Sequence, residues 1–156
     1  MVKNRASRRK LEIKVNMFTK ILVGYDGSKS GKLALGRAAV MAKKFGAQIT
    51  VLWVREPLPR YSDLPGEYEE EAGSADEYFQ ARQKEVKEIA AQHSLEVRSE
   101  SRCGHPAKVI IEFAAECGCD LIVVGHSDHS GLWGRLLGDT ADRIADHATC
   151  SVLIVK

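Results

Sequence analysis

Five short strand-like runs, separated by four stretches of helical periodicity, constrain this chain more than any other feature. Ile21-Leu22-Val23, Ile49 to Val54, Leu121 to Val124 and Ser151 to Val155 are apolar or nearly so throughout. Such runs suit strands covered on both faces. Leu95 to Ser101 instead alternates, with Leu95, Val97 and Ser99 set against Glu96, Arg98 and Glu100, which predicts a half-exposed edge strand. Between the runs the apolar spacing becomes helical. Leu35, Ala38, Ala39, Ala42 and Phe45 form one stripe, with Ser28 or Ser30 as its N-cap and Gly46 closing it. Phe79, Val86, Ile89 and Ala90 mark a second helix from about Asp76 to His93. Val109, Ile110, Phe113, Ala114 and Cys117 mark a third, opened by His105-Pro106. Leu137, Ala141, Ile144, Ala145 and Ala148 mark the last. Residues 56–75, with Pro57, Pro59, Pro65, Gly66 and Gly73, read as a long loop. Strict alternation of strand and helix predicts an α/β fold, a parallel sheet with helices on both faces and right-handed crossovers.

Composition narrows the function. At 156 residues the chain fits one domain. No apolar run reaches the roughly 20 residues of a membrane span, and the N-terminus lacks the apolar core of a secretory signal. A cytoplasmic protein without membrane contact is expected. The net charge of +2 is unevenly spread. Residues 1–16 hold six Lys and Arg against Glu12, whereas residues 17–156 hold 17 bases against 20 acids. The basic character belongs to a tail, so nucleic acid, which selects a basic face on the folded part, is not an expected partner. We therefore divide the chain into a mobile basic extension, residues 1–16, and a domain, residues 17–156. Cys103, Cys117, Cys119 and Cys150 contain no CxxC pair and read as free thiols, mostly buried.

Several segments resemble one family. Lys20-Ile21-Leu22-Val23-Gly24-Tyr25-Asp26-Gly27-Ser28 is similar to the first strand and loop of the universal stress proteins. So are Gly104 to Ile110, Asp120-Leu121-Ile122-Val123-Val124-Gly125-His126-Ser127 through Leu136-Leu137-Gly138, and Cys150 to Val155. The resemblance implies a Rossmann-like, adenine nucleotide alpha hydrolase-like sheet of five parallel strands in the order 3-2-1-4-5. It also implies a homodimer formed through the C-terminal strand, whose apolar edge would otherwise be exposed. In that order the first and fourth strands meet at the topological switch point, where ligands of open α/β sheets bind beyond the strands' carboxyl ends.

The resemblance further implies a role, that of a regulatory module in stress response, and a ligand, ATP or AMP. ATP-binding members carry Gly-x2-Gly-x9-Gly-Ser/Thr after the fourth strand, where backbone N–H groups and a helix N-terminus meet phosphate oxygens. On this chain the first and third glycines are Gly125 and Gly138, with Ser127 and Thr140 nearby. The second glycine is replaced by Asp128 and the Ser/Thr by Asp139. Each places a carboxylate where phosphate is expected, and an uncompensated contact of that kind costs about 1–4 kcal/mol. A Mg²⁺ or Mn²⁺ ion bound with the nucleotide would reverse the sign. Alternatively, Asp139 caps the last helix and Asp128 is solvated. For the adenosine part the resemblance points to Tyr25, Asp26, Val51 and Val124; the two valines are equally core residues by periodicity.

Other chemistries find less support. His126, Asp128 and His129 offer zinc-type ligands but no identifiable supporting shell, so no metal site is assigned. Ser127 lacks a nucleophile elbow. Neither a dinucleotide fingerprint nor a P-loop follows the first strand. No catalytic residue is assigned. Slow ATP hydrolysis would have only Asp26 or Asp128 as base and Arg135 as cation. The alternatives to a nucleotide sensor are thus a stress protein that works through protein contacts and, behind it, a slow ATPase.

Overall fold

The computed structural model describes residues 17–56, 67–126 and 139–156, with the backbone alone at 67–75 and 139. Among the described residues strands and helices alternate: β1 (Lys20–Gly24), α1 (Lys29–Phe45), β2 (Gln48–Arg55), α2 (Glu67–Gln92), β3 (Arg98–Cys103), α3 (Pro106–Cys117), β4 (Leu121–Gly125), α4 (Asp139–His147) and β5 (Ser151–Val155). They build one parallel sheet in the order β3-β2-β1-β4-β5. This is the expected order, with the switch point between β1 and β4.

Residue alternation along the strands divides the core in two. Ile21, Val23, Tyr25, Ile49, Val51, Leu121, Val123 and Val155 pack with Leu35, Ala38 and Ala42 of α1 and Val86 of α2. Leu22, Leu52, Ile122 and Val124 pack on the other face with Ile110 and Phe113 of α3 and Ile144 of α4. Each fully buried Leu or Ile contributes roughly 1.5–3 kcal/mol. The central strands β1 and β4 supply residues to both clusters, which explains their unbroken apolar runs.

Helix ends follow local chemistry. Ser28 is the N-cap of α1, its Oγ accepting from Gly31 N–H at 3.0 Å. Gly46 closes that helix in the left-handed conformation, φ 67°, and its N–H donates to the Ala42 carbonyl. Pro106 begins α3.

Four local expectations are corrected. First, α2 begins at Glu67, so Gly73 and the acidic run Glu69-Glu70-Glu71 lie within a helix and not a loop. Acidic residues in a first turn suit the positive end of the helix dipole, a preference that outweighed the single glycine. Second, β3 starts at Arg98, three residues later than the alternation suggests, because Ser94 takes a left-handed turn at φ 54° and the Leu95 N–H donates back to the Ala90 carbonyl at 3.1 Å, tying Leu95 to the end of α2. Third, Ala145 is exposed, and α4 is anchored by Ala141 and Ile144 instead. Fourth, all four thiols are free as expected, but Cys103 is exposed and Cys117, Cys119 and Cys150 are only half-buried. Residues 1–16 and Leu137 lie outside the described residues.

Candidate functional site

The carboxyl ends of β1 and β4 adjoin, with Gly24 opposite Val124. The loop after β1 is held by its own side chains. Asp26 Oδ1 accepts from Ser28 N–H at 2.9 Å and from Ser28 Oγ at 2.6 Å. Ser28 Oγ lies 3.1 Å from Ser30 Oγ. Gly27 turns the chain at φ 77°, and the Arg82 guanidinium lies so close over it that a Cβ would meet Nη1 at 2.7 Å. Asp26 itself is exposed.

The end of β4 touches the start of α1. A Cβ on Gly125 would stand 2.5 Å from the Ser30 carbonyl carbon and 2.7 Å from Gly31 N. Only a residue without a side chain permits that approach. The N-terminus of α1, with its positive dipole end, is thereby brought against the switch point. His126, the next residue, donates its N–H to the Val155 carbonyl at 2.7 Å and extends the β4–β5 ladder.

The residues named from the sequence fall into three groups. Asp26 and Gly125 stand together at the switch point. Tyr25, Val51 and Val124 are buried, Tyr25 at only 3 % exposure. Tyr25 and Val51 face the α1/α2 side, whereas Val124 faces the α3/α4 side. The β2 residue that shares the α3/α4 side with Val124, near the strand's carboxyl end, is Val54. Which side of the sheet a given β2 valine takes is set by how the strand docks on its neighbours. The third group follows β4. Asp139 and Thr140 are the first two residues of α4. Ser127, Asp128 and Gly138, along with His129 and Arg135, lie outside the described residues.

Sequence reasoning missed a charged cluster under the first loop. The Tyr25 hydroxyl donates to Glu85 Oε2 at 2.6 Å. Arg82 Nη1 donates to the same oxygen at 2.8 Å, and Lys32 pairs with Oε1. Desolvation pushes the Glu85 carboxyl up, but the hydrogen bonds from Lys32, Tyr25 and Arg82 outweigh it and hold the pKa at about 2. Burial, then the bond to Glu85, pushes the Tyr25 hydroxyl well above its ordinary value, so it remains a neutral donor. These contacts pin α1 and α2 to the end of β1. They join residues 25, 32, 82 and 85, a spacing with no motif to betray it. Beside them Trp53 stacks on Phe79 (5.5 Å, 9° between planes), and Arg82 covers the Tyr78 ring at 4.7 Å.

Among the described residues, no group of three His, Cys, Asp or Glu could hold a metal ion. No described helix is long and apolar enough to cross a membrane.

Comparison with known proteins agrees with this architecture. Universal stress protein MJ0531 of Methanocaldococcus jannaschii is 35% identical over 143 residues, covering 90% of this chain and 84% of its own. Universal stress protein YxiE of Bacillus subtilis is 35% identical over 148 residues, covering 90% of this chain and all of its own. Among solved structures, a universal stress protein in complex with cAMP superposes with a TM-score of 0.70 at 26% identity, covering 89% of this chain and 97% of its own. The family model of the universal stress proteins matches residues 17–156. From the glycine-mediated contact at the switch point to the strand order and these matches, the observations agree: the chain belongs to the universal stress protein family.

Proposed function

We propose that this protein is a regulatory module of stress response that binds an adenine nucleotide beyond the carboxyl ends of β1 and β4. The observation that carries the reading is the contact of Gly125 with Ser30 and Gly31, which sets the N-terminus of α1 against the end of β4. Asp26 stands exposed beside that contact, where its carboxylate suits hydroxyl groups of a ribose. The related structure at 26% identity that holds cAMP supports an adenine ligand. By the family's motif Asp128 and Asp139 fall where phosphate is expected and would oppose a bare triphosphate, so a divalent cation would accompany ATP, whereas AMP or a cyclic monophosphate would bind without one. No catalytic role is assigned.

The test is calorimetric titration with ATP, ADP, AMP and cAMP, each with and without Mg²⁺. The expected result is binding of a monophosphate in either condition and of ATP only with Mg²⁺. Absence of binding by all four would overturn the reading.

A second reading, action through protein contacts, is favoured by the edge strand β5, where Val152, Leu153 and Ile154 are only half-buried. We propose that this edge pairs with a second copy, since an apolar, unprotected edge invites another strand. Ile154→Lys should convert a dimer to a monomer in light scattering. A monomeric native chain would refute the pairing.

A further inference from the structure

A second chemically distinctive place lies at the opposite end of the sheet. A cavity of about 580 Å³ opens near the strands' amino ends, lined among others by Lys20, Thr50, Arg98, Phe113, Cys117 and Cys119. Cys117 ends α3, and Cys119 follows after a single glycine. Both thiols pack, half-buried, against the α3/α4 core, as does Cys150. Cys119 N–H donates to the Ala114 carbonyl at 2.8 Å, which folds the Cys-Gly-Cys segment back on the end of the helix. Lys20 Nζ donates to the Cys117 carbonyl at 3.1 Å and places a positive charge beside the pair.

We propose that Cys117 and Cys119 form a redox-modification site, in which a small hydroperoxide entering the cavity converts the two thiols to an intramolecular disulfide. The Cys117 thiolate attacks the terminal oxygen of the hydroperoxide; the O–O bond breaks and the alkoxide, or hydroxide from hydrogen peroxide, leaves and takes a proton. Cys117 is then a sulfenic acid, two electrons more oxidised. The Cys119 sulfur attacks the Cys117 sulfur, the S–O bond breaks, and water leaves with the Cys119 proton. The sum is two thiols and one hydroperoxide giving a disulfide, an alcohol or water, and water. Burial, then the neighbouring Cys117 and Cys150, pushes the Cys119 thiol up to about 11. It therefore keeps its proton and does not make the first attack; that proton leaves with the water in the second step. Cys150, whose thiol burial also raises, takes no part. A metal role for the thiols is disfavoured, because among the described residues no set of three ligands converges.

The test uses the full chain carrying Cys103→Ser, which removes the exposed thiol on β3. Treatment with hydrogen peroxide, then alkylation and peptide mass mapping, should show one disulfide linking Cys117 to Cys119, with the loss of two hydrogens per chain. Cys119→Ser should abolish the disulfide and leave Cys117 as a sulfenic acid trapped by a 1,3-dione. Cys150→Ser should leave the disulfide intact. Full alkylation of all thiols after peroxide, or a disulfide that includes Cys150, would overturn the proposal. A dione adduct on Cys119 in place of Cys117 would overturn the assigned order of attack. Circular dichroism of each variant separates loss of chemistry from loss of fold.

Discussion

Two aspartates at opposite ends of the sheet do different work with the same carboxylate. Asp120, just before β4, accepts from Thr19 N–H at 2.7 Å, Thr19 Oγ1 at 2.6 Å and Lys20 N–H at 3.1 Å, engaging both oxygens. Its partners lie about a hundred residues away in sequence, at the entrance to β1. Asp26 accepts only at Oδ1 among the described residues, and only from Ser28, two positions on. Desolvation pushes the Asp120 carboxyl up, but the Thr19 and Lys20 bonds prevail and lower its pKa. The first carboxylate is spent on joining two strands; the second shapes a short loop and remains exposed at the switch point. With three of its roughly four lone-pair sites taken, the Asp120 carboxylate has little capacity left for a ligand.

The largest expected effect tests the structural member of that pair. Asp120→Ala removes three hydrogen bonds to a charged acceptor and should cost about 2–3 kcal/mol in urea unfolding. Nucleotide titration should be unchanged. A loss under 0.5 kcal/mol, on the order of a neutral surface change, would break the contrast.

Glu85 sits between the two extremes, below the loop that Asp26 shapes. Glu85→Gln should cost about 1–2 kcal/mol at neutral pH by weakening the bonds from Lys32 and Arg82. The sign of its pH dependence is fixed by a folded value of about 2 against an ordinary value of 4.5. The group's contribution is therefore fully present above about 4.5 and is lost as pH falls from there through 2. The native chain should lose more stability over that window than Glu85→Gln does, in unfolding curves taken at several acid pH values. Parallel curves for the two chains would mean that the cluster is not formed.

Ser28→Ala should cost about 1 kcal/mol through loss of the α1 cap, measured by thermal melting. It also removes one partner of Asp26 and so should loosen the loop. The smallest stability change belongs to Asp26→Ala, under about 1 kcal/mol, since both bonds are local and exposed. Its effect should appear instead as at least a roughly tenfold loss of adenine nucleotide affinity, about 1.4 kcal/mol. The reverse outcome, a large stability loss with binding intact, would make Asp26 a structural residue like Asp120.

The residue pattern alone encodes the alternation of elements, the apolar centre of the sheet and the Ser28 and Gly46 caps. These follow from periodicity and local turn chemistry, which act over a few residues. The place of the candidate site, with Asp26 and Gly125, came instead from the resemblance of the segments ending the first and fourth strands to the universal stress proteins. The three contacts of Glu85 were not legible, nor was the division of Tyr25, Val51 and Val124 between two faces of the sheet. The Asp120 bonds to Thr19 and Lys20 span a hundred positions and obey no spacing rule. Tertiary structure alone decided them, because strand register and helix docking bring distant residues together through summed packing of the whole core. No single segment encodes that sum, so the surfaces on which the site and the thiol pair rest emerge only when the sheet is assembled.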